Sequence, residues 1–529
     1  VRIEGRLDRA AFVAALADVG ARHEILRTTF PQLPGHTLPA QSIREPAPGL
    51  LRLEERDLSA LDLLWKEMGE RPFQPDREPP ITLMLVSVSP ESHRLFVAAH
   101  ALAADAAALE VLVRELRQAY AARLGRGAEL EEEPAQYADV AEALNELLES
   151  EETGEGRDFW REAAAGYRGA GRLPLEKATP EGGFLPRTLS AAAGAETLAA
   201  AQALAADLSV PLAAVPLAAW HAVLRRLASE ELPPRSVVAV ELAGRHYEGF
   251  ESALGLFARS VPIPLSLDED LPFAQLVSRT GEGLATATDW QDYFSWEAIS
   301  GAETPWVPAA FRFTELPVAE RAGGATFTLE KLEARTDRFA LQLAAVHGPE
   351  ELGLELAYDA NRFGEEDARS LLAACQALIA HAVAAPGTRI GDLEVVGPEE
   401  RRYLLDELNR TARPVAPVPV HQLFTAQARR TPDAVAVSDT AGVSLTYAAL
   451  ARRAAALAGY LRRLGVGPDV RVGLCAERSV EMMVGVLAIL EAGGAYVPLD
   501  PSYPAARLAY MLEASKAPVL LVGENLPPD

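Results

Sequence analysis

Residues 96–106 read Phe96-Val97-Ala98-Ala99-His100-Ala101-Leu102-Ala103-Ala104-Asp105-Ala106. An apolar run ends in a histidine, and an aspartate shortly after it opens an alanine-rich segment, so the stretch predicts a strand, a turn and a helix in succession. Asp105 stands where an N-cap belongs, since its side-chain oxygen can accept an orphan amide of a helix over 106–124. A strand handed to a helix through a short turn is the repeating unit of mixed α/β folds.

Upstream, Asp8 precedes a run over 9–20 in which Phe12, Val13, Leu16 and Val19 recur at helical spacing. The segment 22–30 packs against that helix, and strands are expected near 51–53, 81–88 and 93–99. Downstream, the acidic stretches 129–133 and 146–157 read as solvated surface, and a lobe boundary falls near 165–195. Beyond it come helices near 194–207 and 211–228, a strand at 236–242, and an apolar run at 256–265 containing Pro262 and Pro264. Strands near 309–314, 325–331, 338–347 and 352–357 and a helix at 364–384 follow. Pro414, Pro417 and Pro419 make 409–419 a semi-rigid linker. After it, strands at 434–438, 470–475 and 518–522 alternate with helices at 447–464 and 479–492, a second α/β layered domain. No internal repeat is visible.

At 529 residues the chain exceeds what one hydrophobic core covers, so several domains are expected. The formal net charge of −25 disfavours a nucleic-acid partner. Cys375 and Cys475 lie in apolar surroundings and read as small buried hydrophobes, consistent with a cytoplasmic protein. No apolar stretch is long enough to span a bilayer, and no signal pattern opens the chain, whose strand-like start suggests a piece of a longer polypeptide. Metal is not expected, because no HxxxH, CxxC or carboxylate-rich cluster occurs.

Seven elements, in order, resemble those of nonribosomal peptide synthetases. Arg22-His23-Glu24-Ile25-Leu26-Arg27-Thr28-Thr29-Phe30 is similar to the RHExLRTxF element of condensation domains, and the stretch from His100 to Ala106 sits at their HHxxxDG element. Tyr137-Ala138-Asp139 is similar to YxD, Gly255-Leu256-Phe257 with Pro262 to GxFxNxxP, and Gln291-Asp292-Tyr293 to QDxPFE. Leu445-Thr446-Tyr447-Ala448-Ala449-Leu450 and the stretch from Leu490 to Asp500 resemble the first two adenylation-domain elements.

The resemblance implies an α/β architecture of two chloramphenicol-acetyltransferase-like lobes in a V-shaped pseudo-dimer, followed by an α/β fragment of an adenylate-forming domain. The implied spans are 1–170 for the N-lobe, 171–398 for the C-lobe, 399–419 for the linker and 420–529 for the truncated adenylation part. It further implies partner carrier proteins whose phosphopantetheine thioesters enter a central tunnel, with no cofactor bound by this chain. The adenylation part stops before the phosphate loop, hinge arginine and catalytic lysine of that family, so adenylate formation is not expected, and the rest of that domain is an expected partner.

Amide formation from two thioester-linked substrates needs a neutral attacking amine, a stabilised oxyanion and a proton moved toward the leaving thiolate. The resemblance gives these tasks to the second histidine of the element, which here is Ala101, so no catalytic side chain stands intact at that position. His100 points to the opposite face of an extended strand and reads as a packed, hydrogen-bonded residue or as a displaced base. Asp105 reads as an N-cap or as half of a buried salt bridge, which the resemblance assigns to Arg27.

The element's glycine is Ala106, and the asparagine of the later element is Arg259, which either occupies part of the tunnel or pairs with a carboxylate such as Glu251. Arg259, Ser260, Tyr137, Gln291 and Asp292 are the tunnel-lining candidates. Beside that role, Tyr137 and Trp290 also read as core aromatics, and Gln291 and Asp292 as ordering the lobe junction. Three readings stand at this point: a platform for carrier proteins and a tailoring enzyme; an amide synthase working by approximation without the histidine; and an engineered substitution, against which Ala106 argues.

Overall fold

Strand Ser92–Ala99, which leads into the motif turn, has its inward face set by period-two alternation. Leu95, with Val97 and Ala99, packs against Phe12 and Leu16 of helix Arg9–Arg22 and Leu112 and Tyr120 of helix Ala106–Arg123. Phe96 and Ala98 point the other way, onto Leu64 and Met68 of helix Leu61–Gly69. Asp8 caps the first helix as expected, accepting the Ala11 amide at 3.0 Å.

This computed structural model describes residues 1–36, 39–46, 53–57, 61–69, 71–127, 130, 133–149, 154–165, 173–177, 183–228, 235–247, 249–296, 307–415 and 417–523. Of the acidic stretch 129–133 only Leu130 and Glu133 fall among them, and of 51–53 only Leu53, which opens strand Leu53–Asp57. The described chain divides into two compact units, Val1–Leu408 and Asn409–Asp529.

The first unit holds two six-stranded sheets. The first runs in the order Glu320–Ala322, Ala325–Thr328, Arg2–Glu4, Ser92–Ala99, Ile81–Ser89, Leu53–Asp57. Its first two strands come from the span expected wholly in the second lobe. Ile3 lies opposite Phe327, and Phe327 enters the first core. A cut by sequence at residue 171 therefore does not describe lobe membership. A four-residue strand carries too little local pattern to show which sheet it will join.

The second sheet runs Pro186–Ala193, Leu352–Asp359, Leu341–His347, Ala309–Glu315, Arg235–Leu242, Arg259–Ser266. Val240, Phe311, Leu343 and Leu354 face a core built with helices Ala195–Asp207, Ala214–Arg226, Phe273–Trp290 and Glu365–Ala384. Arg259–Ser266 is an edge strand, the place in a sheet where Pro262 and Pro264 cost no ladder bond. Helices Tyr137–Glu149, Gly154–Ala165 and Phe273–Trp290 are additions to what periodicity predicts. Gly154–Ala165 is held by Phe159 stacking on Trp290 at 5.2 Å and by buried Trp160.

In the second unit the parallel strands Ala495–Leu499, Arg471–Cys475 and Val519–Val522 pack with helices Tyr447–Arg463 and Val480–Ala492. Gly493 ends the latter helix at φ 95°, a left-handed cap that glycine adopts without strain. Cys375 and Cys475 are both buried thiols. Among the described residues no helix is long and apolar enough to cross a membrane, and no cluster of metal-ligating side chains occurs.

Because Phe327 ties a distant strand into the first core, Phe327→Ala is expected to cost about 3–5 kcal/mol in urea denaturation. Val318→Ala, 72% exposed on the same crossing segment, is expected to stay within about 0.5 kcal/mol of wild type.

Candidate active site

The chain leaves the extended conformation at Ala99, and the His100 amide donates to the Pro80 carbonyl at 2.8 Å. A turn over 101–103 follows, closed by the Ala103 amide on the His100 carbonyl at 2.9 Å. The His100 ring sits edge-on to Phe73, and its Nδ1 accepts the Leu102 amide at 3.1 Å. Burial lowers the pKa of the ring, so a neutral imidazole is held with one nitrogen already occupied. This is the packed, hydrogen-bonded alternative. Its cause is the turn, not the strand alternation, which has ended by residue 100. Ala101 is half-buried and offers only a methyl group.

Asp105 is 1% exposed. Its Oδ1 accepts the Ala108 amide at 2.8 Å, so it does cap helix Ala106–Arg123. The same carboxylate is also half of a buried ion pair, and the two readings open from sequence hold together. Arg245 grips it with both terminal nitrogens, at 3.0 and 2.9 Å, while the Phe257 and Ala258 amides donate to Oδ2 at 2.8 and 2.9 Å.

The partner of Asp105 is Arg245 and not the expected Arg27. Arg27 closes the short helical turn Glu24–Arg27 and bonds Glu24 at 3.1 Å and the Arg44 carbonyl. A carboxylate three residues away satisfies it locally, leaving Asp105 to a guanidinium 140 residues distant.

The later elements converge on this pin. Arg245 lies over the Phe257 ring at 4.4 Å and donates to the Gly255 carbonyl at 3.2 Å. Tyr137 donates to the Leu256 carbonyl at 2.9 Å and meets Phe257 edge-on. A Cβ on Gly255 would lie 2.0 Å from the Tyr137 ring, which is why glycine stands there. Ala106 is buried against Leu329 and Leu332, so its methyl fills core space.

Arg259 does not pair with Glu251, whose carboxylate caps the Gly249 amide; its Nη1 donates to the Asp292 backbone carbonyl at 2.9 Å. Ser260 donates to Asp337 at 2.6 Å, opposite Glu241 across the strand pair. Burial pushes the Glu241 carboxyl up to about 7, opposed by Arg312. Gln291 is buried and donates to the Thr288 carbonyl at 2.8 Å, and its Oε1 has no partner among the described residues. Asp292 is buried and accepts His246 Nε2 at 2.8 Å and the Tyr247 hydroxyl at 2.7 Å, and burial together with Asp292 pushes that phenol up to about 12.

Arg245, His246 and Glu241 escaped the reading of the sequence. The one usable signal was Gly244, at φ +67°, where a Cβ would lie 2.2 Å from the Phe257 carbonyl oxygen and so marks a close approach beside Arg245.

Comparison with known proteins gives two family matches: Condensation domain over residues 1–405 and AMP-binding enzyme over residues 424–528. A linear gramicidin synthase of Brevibacillus parabrevis is 32% identical over 100% of this chain, and tyrocidine synthase 3 of the same organism is 30% identical over 99%. The chain spans 11% and 8% of those relatives. Among solved structures, a four-domain nonribosomal peptide synthetase bound to AMP and glycine superimposes with TM-score 0.74 at 20% identity, over 99% of this chain and 42% of that one. The X-domain from teicoplanin biosynthesis matches with TM-score 0.61 at 26% identity, over 74% of this chain and 91% of that one. A second structure of that X-domain, in complex with OxyB, matches equally well at 27% identity, over 75% of this chain and 90% of that one.

Removing the guanidinium leaves a buried unpaired charge, so Arg245→Ala is expected to cost about 3–5 kcal/mol by chemical denaturation, and Arg27→Ala clearly less. The raised Glu241 carboxyl makes the folded state the better proton binder between 4.5 and about 7. Stability should therefore fall as pH rises through that window, and Glu241→Gln should flatten the slope of the unfolding free energy.

Proposed function

Because the chain belongs to the condensation-domain family, joined to the start of an AMP-binding enzyme, we propose that it is a condensation-like domain of a nonribosomal peptide synthetase module that does not form amide bonds. It serves as a platform for carrier proteins and for a tailoring enzyme. Its two sheet-and-helix halves are the two acetyltransferase-like lobes, and carrier-bound phosphopantetheine thioesters reach the space beside the motif turn. The second unit takes the remainder of an adenylation domain as its partner.

The observation that carries this reading is the pairing of Ala101 with a committed His100. The position that needs an imidazole has a methyl, and the neighbouring ring spends Nδ1 on the Leu102 amide. The contacts that serve folding at the same element are in place, from the Asp105 cap to the Arg245 fork. The likeness to a domain that forms a complex with OxyB supports a docking role.

Titration of the full chain with carrier proteins of its own assembly line and with that line's tailoring enzyme should give saturable binding. Two loaded carriers should yield no amide product above the uncatalysed rate by mass spectrometry. Amide product from the wild-type chain, or absence of binding to every carrier and tailoring enzyme, would overturn the reading.

A further inference from the structure

Two acidic residues, Asp105 and Asp292, are bridged by two pairs of adjacent residues, one through both carboxylates and one through the Asp292 backbone carbonyl. Arg245 binds Asp105 while the next residue, His246, binds Asp292. The Ala258 amide binds Asp105 while the next residue, Arg259, donates to the Asp292 carbonyl. Both bridges run through adjacent residues, so one peptide unit joins the anchor of each on the Asp292 group to its anchor on the pin that holds the motif turn.

The Asp292 group has the parts of an acid–base site. The Asp292 carboxylate accepts from His246 Nε2–H, and in the neutral imidazole that tautomer has its lone pair on Nδ1. Among the described residues no protein group bonds Nδ1. The carboxylate is 9% exposed and the imidazole 34%, so a shielded orienter holds a ring that solvent and substrate can reach. Tyr247 donates to the same oxygen and lies against the ring at 4.3 Å, which fixes the ring plane. Arg259 uses Nη1 on the Asp292 carbonyl, and no described residue takes its other nitrogens, which can serve an oxyanion.

We propose that His246, positioned by Asp292, is an acid–base group that promotes hydrolysis of carrier-bound acyl thioesters at this site. The choice of substrate rests on the reading above. Water attacks the thioester carbonyl carbon and gives its proton to Nδ1, so that a C–O bond forms. The tetrahedral intermediate then collapses, the C–S bond breaks, and the imidazolium returns the proton to the thiolate. A carboxylic acid and a free thiol result, with nothing oxidised or reduced. This would let the platform clear a stalled acyl group without ligating it.

The test uses the full chain with two probes, an aminoacyl-loaded carrier protein and an aminoacyl N-acetylcysteamine thioester, reading free thiol and free acid by mass spectrometry. Cleavage above the spontaneous rate is expected, together with an inflection in log rate against pH. His246→Gln keeps a donor for Asp292 and should therefore keep the melting temperature, while losing about 10²- to 10⁴-fold of the acceleration and the inflection. Asp292→Asn should lower the rate in the same direction. Equal rates in wild type and His246→Gln, or no acceleration with the small thioester, overturn the proposal. Cleavage of the small thioester without carrier binding overturns the platform reading and the carrier-bound substrate with it, and supports the acid–base role of His246 on a free thioester.

Discussion

A single buried carboxylate organises the first unit. Asp105 accepts the Ala108, Phe257 and Ala258 amides and the Arg245 fork, so its charge is fully hydrogen-bonded where it would otherwise be costly to bury. Its bonds start the helix Ala106–Arg123, end the motif turn, and place the backbone that enters the edge strand Arg259–Ser266. Each is a fixed direction for a piece of chain, and the fixed directions meet at one point.

The aspartate works for the fold, and its removal would leave a guanidinium buried and unpaired. Ala101 sits half-buried in the turn before it and takes part in none of those bonds. Ala106 shows the complementary case, since its extra methyl is absorbed by Leu329 and Leu332.

The crossing of the chain between its two sheets matters for the same reason. Strands Glu320–Ala322 and Ala325–Thr328 extend the first sheet, and Phe327 fills its core. Further along the same crossing, Lys331 lies over the Trp65 ring and the Arg312 guanidinium donates to the Ala334 carbonyl. The two cores are thereby tied together by covalent chain as well as by the Asp105 pin.

The sequence by itself determined what depends on neighbours a few residues away. The strand, turn and helix around His100 follow from side-chain period, and the caps at Asp8 and Asp105 follow from the orphan amides next to them. That position 101 carries only a methyl group is a matter of residue type alone. Tertiary structure decided what depends on distant partners: Arg245 in place of Arg27, Phe327 in the first core, and His246 on Asp292. A guanidinium matched to a carboxylate 140 residues away leaves no trace in local pattern, because either arginine satisfies the same charge and only packing brings one of them within reach.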